Sequence, residues 1–455
     1  MTVWTPTSGA EGTPSSALHT DHYELTALDA AIASGVADRR AVFEVFARDL
    51  PPGRRYGVVA GVARAIDAVT RFRFHDAELD WLRERGFLRQ ETLDWLARYR
   101  FSGDIDGYHD GELFFPYSPI LTVEAPLREA LVLETVLLSI LNHDSAVAGA
   151  AARMADVARA GGRATIEGGS RRTHEEAAVH AALAAYVAGI DVTSNLEAGR
   201  RFAIPTAGTT MHAFILAHDS EEDAFRAQVE ALGAASTFLV DTYDIPQGIR
   251  TAVAVAGPQI GAVRLDSGHL HEEAHKARAL LDELGVPECR IVVSGDLDEH
   301  RMAALADAPV DSYMLGTRLV TGSGAPTAEL VYKLVAVARD ADPDAPLEPV
   351  AKTSAGKGHR GGRKVATRQL TADGIAEAER IATTDRAGEP VPAGRTERPL
   401  QVPWVRDGET IRPFVADAAR AHHRSAMGEL HPEAHRIDAG PPALHALYQE
   451  ENPHD

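Results

Sequence analysis

Ala262-Val263-Arg264-Leu265 runs into Asp266-Ser267-Gly268, Ile291-Val292-Val293 into Ser294-Gly295-Asp296, and Ser312-Tyr313-Met314-Leu315 into Gly316-Thr317. Each is a short apolar run that stops in small or polar residues, with a helical pattern after it. Thr237-Phe238-Leu239-Val240, ending in Asp241-Thr242-Tyr243-Asp244, has the same form. So do Ala164-Thr165-Ile166 before Glu167-Gly168-Gly169-Ser170 and Asp191-Val192 before Thr193-Ser194-Asn195. The later ends recur every ~20–30 residues, the size of one strand–helix unit. Six such units predict a parallel α/β barrel whose polar strand ends share one mouth. An open doubly wound sheet is the alternative, but no Gly-x-Gly-x-x-Gly fingerprint opens the series.

Outward from this region the pattern is mixed. Asp21 before His22-Tyr23-Glu24-Leu25-Thr26 reads as a helix cap. Ala41 to Phe46 alternates like a strand, and Ala60 to Thr70 and residues 75–99 read as helical. Gly103 to Val123 reads as strand and turn. Leu127 to Arg159 reads as helical, with a break expected at Asn142-His143-Asp144-Ser145. Residues 341–349, rich in Asp and Pro, read as a linker, and 350–455 as strands and turns with a His-rich tail. The expected organisation is a flexible tail over 1–18, an α/β domain over 19–145, the barrel over 146–340, and a basic loop with a C-terminal segment over 341–455.

Composition narrows the function. Across 455 residues, 46 basic against 66 acidic side chains give a formal charge of −20. A chain this acidic repels a phosphate backbone, so nucleic acid is not an expected partner. No run of about 18 apolar residues is present, since Glu134 interrupts the longest, so no membrane span is expected. Residues 1–18 lack the basic start and apolar core of a signal peptide. The single cysteine, Cys289, excludes an intrachain disulfide and fits a reducing cytoplasm. Lysine is scarce, yet Lys352, Lys357 and Lys364 fall within one Gly-rich stretch that also holds Arg360 and Arg363. That stretch is either a solvated loop or a flexible arm closing over a polyphosphate.

The strand ends supply the candidate chemistry. Gly295, Gly316 and Thr317 either turn the chain or offer backbone N–H groups to a phosphate monoester. Asp241, Asp244 and Asp266 are either helix caps or groups that hold Mg²⁺ on a diphosphate or stabilise a cation. Arg264 shares a strand face with Asp266, and an arginine there needs a partner or a ligand. His212 follows the anion-friendly turn Gly208-Thr209, but it is one of twenty histidines.

In order, the chain carries Thr-Asp-His-Tyr-Glu-Leu-Thr (20–26), Glu-Gly-Gly-Ser-Arg-Arg (167–172), Thr-Ser-Asn (193–195), Gly-Thr-x-x-His (208–212) and Leu-Val-Asp-Thr-Tyr-Asp (239–244). Val-Arg-Leu-Asp-Ser-Gly (263–268), Ser-Gly-Asp-Leu-Asp-Glu (294–299), Leu-Gly-Thr (315–317) and Val-Tyr-Lys-Leu (331–334) complete the series. Together these nine motifs resemble the nicotinate phosphoribosyltransferase family. The resemblance implies an irregular α/β barrel plus an α/β sandwich-like domain formed by N-terminal and C-terminal segments. It implies transfer of a phosphoribosyl group from 5-phosphoribosyl 1-diphosphate to nicotinate, a step of NAD salvage, with Mg²⁺ and with ATP as co-substrate. It also implies a cytoplasmic homodimer with the site at the subunit interface.

By the same resemblance, His212 would be transiently phosphorylated and Asp266 would stabilise positive charge near the ring and ribose. Arg264, Thr209 and Arg171 would bind the nicotinate carboxylate, an Arg fork matching it in a bidentate way. Tyr23 would reach the other subunit's barrel mouth and stack on the pyridine. Asp241, Gly295, Gly316 and Thr317 would hold phosphoribosyl diphosphate. Ser194 stands where the nicotinamide-using sister family carries Asp, so acid is favoured over amide.

Three departures accompany the resemblance. Gly168 replaces an aromatic residue, His269 replaces an Asp, and Gly361-Gly362 replaces a Pro-Gly pair. The metal ligands are therefore left open. The rival readings are transfer to nicotinamide or another pyridine acid, a sugar-phosphate lyase or aldolase, and a non-catalytic phosphate sensor. A Schiff-base aldolase needs a strand lysine, and none lies in the strand runs from 164 to 315.

Overall fold

The computed structural model describes residues 15–353, 358–384 and 396–448. It divides into two compact units. One comprises the described residues up to Gly149 together with those from Ala325 on, and the other is Ala150–Gly324.

The first unit is built on a seven-stranded antiparallel sheet. Its order is Leu347–Pro349, Leu330–Ala338, Arg40–Ala47, Leu121–Pro126, Asp104–Tyr108, Gln401–Arg406, Glu409–Thr410. Arg40–Ala47 is buried at seven of its eight positions, so both faces of this central strand are covered. Phe43 stacks on Tyr332 across the ladder at 4.7 Å. Glu44 stays in this interior because Lys364 meets it at 2.8 Å. A second sheet runs Glu397–Pro399, Lys364–Leu370, Ala376–Thr383, Ala446–Tyr448. The helix His22–Ser34 starts where the sequence predicts it. Asp21 and Glu24 form a capping box, and Gly35 ends the helix at φ 72°.

Five expectations need correction here. Residues 15–18, expected in the flexible tail, are ordered: Ala17 is fully buried and the Ser16 hydroxyl donates to the Ala68 carbonyl at 2.6 Å. The rest of that tail lies outside the described residues. The helix Glu134–Ala160 does not break at 142–145; the break falls earlier, after the short helix Leu127–Leu131. The polar side chains at 142–145 bond across the fold instead of to their own backbone. Asn142 pairs with Leu330 through both amide atoms, and Asp144 takes a bidentate contact from Arg64. The expected linker ends in a strand, Leu347–Pro349, pairing with Ala336–Ala338 at the sheet edge, where proline is tolerated.

The C-terminal segment holds a helix, Ala416–Gly428, that the strand-and-turn reading missed. Its His423 is buried against the Gly111 carbonyl at 2.9 Å. His454 lies outside the described residues. In the basic stretch, Arg363 and Lys364 do not belong to a closing arm. Both are buried, Arg363 against Asp106 and Glu124, and Lys364 against Glu44. Arg360 lies over the Tyr448 ring at 3.8 Å, and Lys357 is outside the described residues.

The second unit is a curled, half-barrel sheet of six parallel strands. Its order is Val192–Thr193, Ala164–Glu167, Ser312–Leu315, Arg290–Val293, Ala262–Leu265, Thr237–Leu239. Among the described residues the two outer strands do not pair. All six strands point the same way, so their C-terminal residues come to one end. Val263, Leu265 and Ile291–Val293 are apolar and buried, and the helix Leu270–Glu283 packs against these two strands.

Candidate active site

Three neighbouring strands, ending at Leu239, Leu265 and Val293, bring one polar cluster together. Arg264 is 9% exposed. Its Nε donates to Ser294 Oγ at 3.0 Å, and its Nη2 lies 3.3 Å from Asp266 Oδ2. Ser294 Oγ in turn donates to Asp266 Oδ1. Arg264 and Asp266 are thus held together directly and through a shared hydroxyl. The remaining Arg264 nitrogen, Nη1, has no partner among the described residues, so part of the fork is open to a ligand.

Asp241 sits beside this trio. Its Oδ2 accepts from the Asp266 backbone N–H at 3.0 Å and from Ser267 Oγ at 2.9 Å. Its Oδ1 is buried without a hydrogen-bond partner, 4.0 Å from His212 Nε2. A buried carboxylate oxygen normally has a partner, so this one is free for a donor or a cation. His212 is the first residue of the short helix His212–Leu216 and its side chain is 43% exposed. Thr242 Oγ1 meets its Nδ1 at 3.1 Å, which orients the ring and leaves Nε2 facing Asp241. Asp244, by contrast, caps the helix Ile245–Ala256, accepting from Gln247 N at 2.9 Å.

Gly295 follows the strand Arg290–Val293 at φ +122°, a backbone that favours glycine. A Cβ there would stand 3.3 Å from the Asp266 carbonyl. Gly316 and Thr317 end the strand Ser312–Leu315. Thr209 is exposed in a loop of the same unit, and Arg171 is exposed in the short 3-10 helix Ser170–Arg172. Tyr23 belongs to the other unit, on the helix His22–Ser34, and is 53% exposed. Partial burial, with Glu134 and Glu24 nearby, pushes its hydroxyl up to about 12, so it stays protonated at neutral pH.

Sequence reading missed several contributors. Ser294 and Thr242 orient Arg264, Asp266 and His212, and their only signal is a small polar residue at a strand end. Glu167 is buried at the mouth, held by Thr193 Oγ1 at 2.5 Å and the Gly169 N–H, and its carboxyl is pushed up by burial. Its backbone carbonyl accepts from Ser194 N at 2.8 Å, which fixes Ser194 beside that strand. The space beside Gly168 is filled by Met314, whose Cε would lie 2.7 Å from an added Cβ. His269 precedes the helix Leu270–Glu283 and makes no side-chain cap bond. Lys276 lies on that helix, and no strand of the parallel sheet carries a lysine for a Schiff base. Among the described residues no three His, Cys, Asp or Glu side chains gather into a metal cage.

Comparison with known proteins gives a consistent result. Residues 18–142 match the model of the nicotinate phosphoribosyltransferase N-terminal domain. A nicotinate phosphoribosyltransferase of Mycobacterium tuberculosis is 50% identical over 435 residues, covering 94% of each chain. One from Bacillus subtilis is 39% identical over 332 residues, 71% of this chain and 67% of that one. The crystal structure of human nicotinic acid phosphoribosyltransferase superposes with a TM-score of 0.79 at 25% identity, covering 95% of this chain and 98% of that one. With half of its residues shared over nearly its whole length, this chain belongs to the nicotinate phosphoribosyltransferase family.

Proposed function

We propose that this chain joins nicotinate to 5-phosphoribosyl 1-diphosphate, giving nicotinate mononucleotide and diphosphate, as a step of NAD salvage. The observation that carries this reading is the Arg264–Ser294–Asp266 trio at the strand ends, next to the unpartnered Asp241 oxygen and His212. In the reaction the bond from the ribose C1 to the diphosphate oxygen breaks, and the pyridine nitrogen bonds to C1. Positive charge builds on the ribose and then on the ring. Asp266 stabilises that charge from a fixed position, which needs no reorganisation at the moment of reaction. Arg264, with Thr209 and Arg171, takes the nicotinate carboxylate. Tyr23 of the partner subunit stacks on the ring in a cytoplasmic homodimer. Gly295, Gly316 and Thr317 take the 5-phosphate, and Asp241 the diphosphate end of the donor. Mg²⁺ would offset charge on the leaving diphosphate. The fit to it is one carboxylate, Asp241, which suits an ion bound mainly through substrate phosphates and waters.

ATP enters through His212. Nε2 accepts the terminal phosphoryl group, ADP leaves, and water later releases phosphate from the ring. The Thr242 contact on Nδ1 supports Nε2 as the reacting nitrogen. Ser194, with no carboxylate of its own, leaves an acid substrate unrepelled.

The test is diphosphate release by the purified protein with phosphoribosyl diphosphate and Mg²⁺, comparing nicotinate with nicotinamide, each with and without ATP. Release with nicotinate alone, raised by ATP, is expected. Release with nicotinamide would overturn the specificity, and release with neither would overturn the activity.

A further inference from the structure

The first unit holds a cleft of about 760 Å³ that the proposed reaction does not use. Its walls come from the end of the helix Val62–Thr70 and the residues after it, from Arg100 and Phe101, and from Val405 and the turn and loop at 408–413. Three arginines line it, Arg73, Arg100 and Arg412, against one carboxylate, Glu409. In a chain with 66 acidic and 46 basic residues, such an excess of positive charge runs against the composition.

These arginines are not spent on the fold. Arg71, two residues before Arg73, pairs with Asp67 at 2.8 Å, the common arrangement in this protein. Arg73, Arg100 and Arg412 meet no carboxylate within 4 Å among the described residues. Arg73 Nε is buried with no hydrogen-bond partner. Arg100 and Arg412 each donate only to a backbone carbonyl, of Tyr99 and Pro403. Burial and the neighbouring Arg73 charge both lower the Arg100 pKa, so the two guanidinium groups repel one another. Like charges held in a partly desolvated cleft raise the free energy of the empty protein, and an anion relieves it. Phe101 and Ile411 add an apolar wall.

We infer that this cleft binds a phosphorylated small anion, its phosphates on Arg73, Arg100 and Arg412. Guanidinium forks match phosphate oxygens in a bidentate way, and the apolar wall suits a flat organic body. A nucleotide and free polyphosphate share this chemistry.

The test is calorimetric titration of the full chain with inorganic tripolyphosphate and, separately, ATP, without Mg²⁺. Wild type is compared with Arg73→Gln/Arg100→Gln, Arg412→Gln, and Arg83→Gln/Arg85→Gln on an exposed helix. Losing charged hydrogen bonds is expected to weaken binding about tenfold or more in the first variant, and less in the second. The surface variant should bind like wild type. A larger loss of ATP than of tripolyphosphate binding in the first variant would identify a nucleotide, and an equal loss free polyphosphate; both support the inference. Without ligand, the double variant should melt at or above the wild-type temperature, since a repulsion has been removed. Equal isotherms in all proteins, equal weakening in the surface variant, or a melting point several degrees lower in the double variant would overturn it.

Discussion

Charged side chains are buried in both units, but they are partnered differently. In the first unit Arg368 is fully buried, and its Nη2 donates to Glu379 at 3.1 Å and to the Leu113 carbonyl at 3.0 Å. Tyr108 donates to the other Glu379 oxygen at 2.8 Å. Glu112 nearby receives two contacts from Arg398 and one from His422. In the second unit, the strand-end cluster leaves Asp241 Oδ1 and Arg264 Nη1 without partners and His212 half-open. The same residue types hold a fold in one place and remain available for a substrate in the other. Arg368 Nε and Nη1 also lack partners, but they are sealed in the interior, whereas His212 and Asp266 are partly open; unused hydrogen-bonding capacity that a ligand can reach separates the two.

The comparison can be broken by substitution. Arg368→Ala should have the largest effect. It strands Glu379 in the interior and should lower stability by about 3–5 kcal/mol, read as a shifted denaturant midpoint. A variant as stable as wild type would show that the first unit's network is not structural. His212→Ala should leave the melting transition alone and reduce transfer to its ATP-independent rate. Equal ATP stimulation in that variant would remove His212 from the mechanism. Ser194→Asp should shift the ratio of nicotinate to nicotinamide use by about tenfold toward the amide, through repulsion of a carboxylate. An unchanged ratio of kcat/KM values would remove Ser194 from specificity.

The smallest effects are expected with pH. Burial alone would raise Glu112, but His422, Arg368 and Arg398 overcome it and hold its carboxyl well below the usual range. Between the folded and unfolded pKa values the unfolded chain binds more protons. This contribution is therefore full above about pH 5 and is lost as pH falls. Asp110 behaves in the opposite sense, pushed up to about 6 by burial. Its contribution is full below about pH 4 and lost as pH rises through 6. Denaturant midpoints from pH 3 to 7 should show the acid limb flattened by Glu112→Gln and the other limb by Asp110→Asn. Unaltered profiles would contradict both assignments.

Much of this was legible in the sequence, and the reason is local. The parallel strands are short apolar runs with polar ends, so their period and their shared mouth can be read directly. Asp241 and Asp266 stood out by their place at strand ends and Arg264 as a charge inside a strand, whereas His212, at the start of a short helix, stood out only through the family resemblance. Ser294 and Thr242 did not, since a small polar residue after a strand carries no mark of what it orients. The basic stretch misled for the opposite reason. Gly-rich sequence around Arg363 and Lys364 looks mobile until Asp106, Glu124 and Glu44 arrive from strands more than 200 residues earlier. The break expected at 142–145 failed likewise, because Leu330 and Arg64 claim the polar side chains.

The most direct measurement is the rate of nicotinate mononucleotide formation by Asp266→Asn, beside its melting temperature. Asparagine keeps the size and most hydrogen bonds of Asp266 but removes its charge. The account predicts a rate lower by about a hundredfold or more with an unchanged melting transition. A wild-type rate, or a loss of rate that tracks unfolding, would contradict the assignment of the chemistry to the strand ends of the second unit.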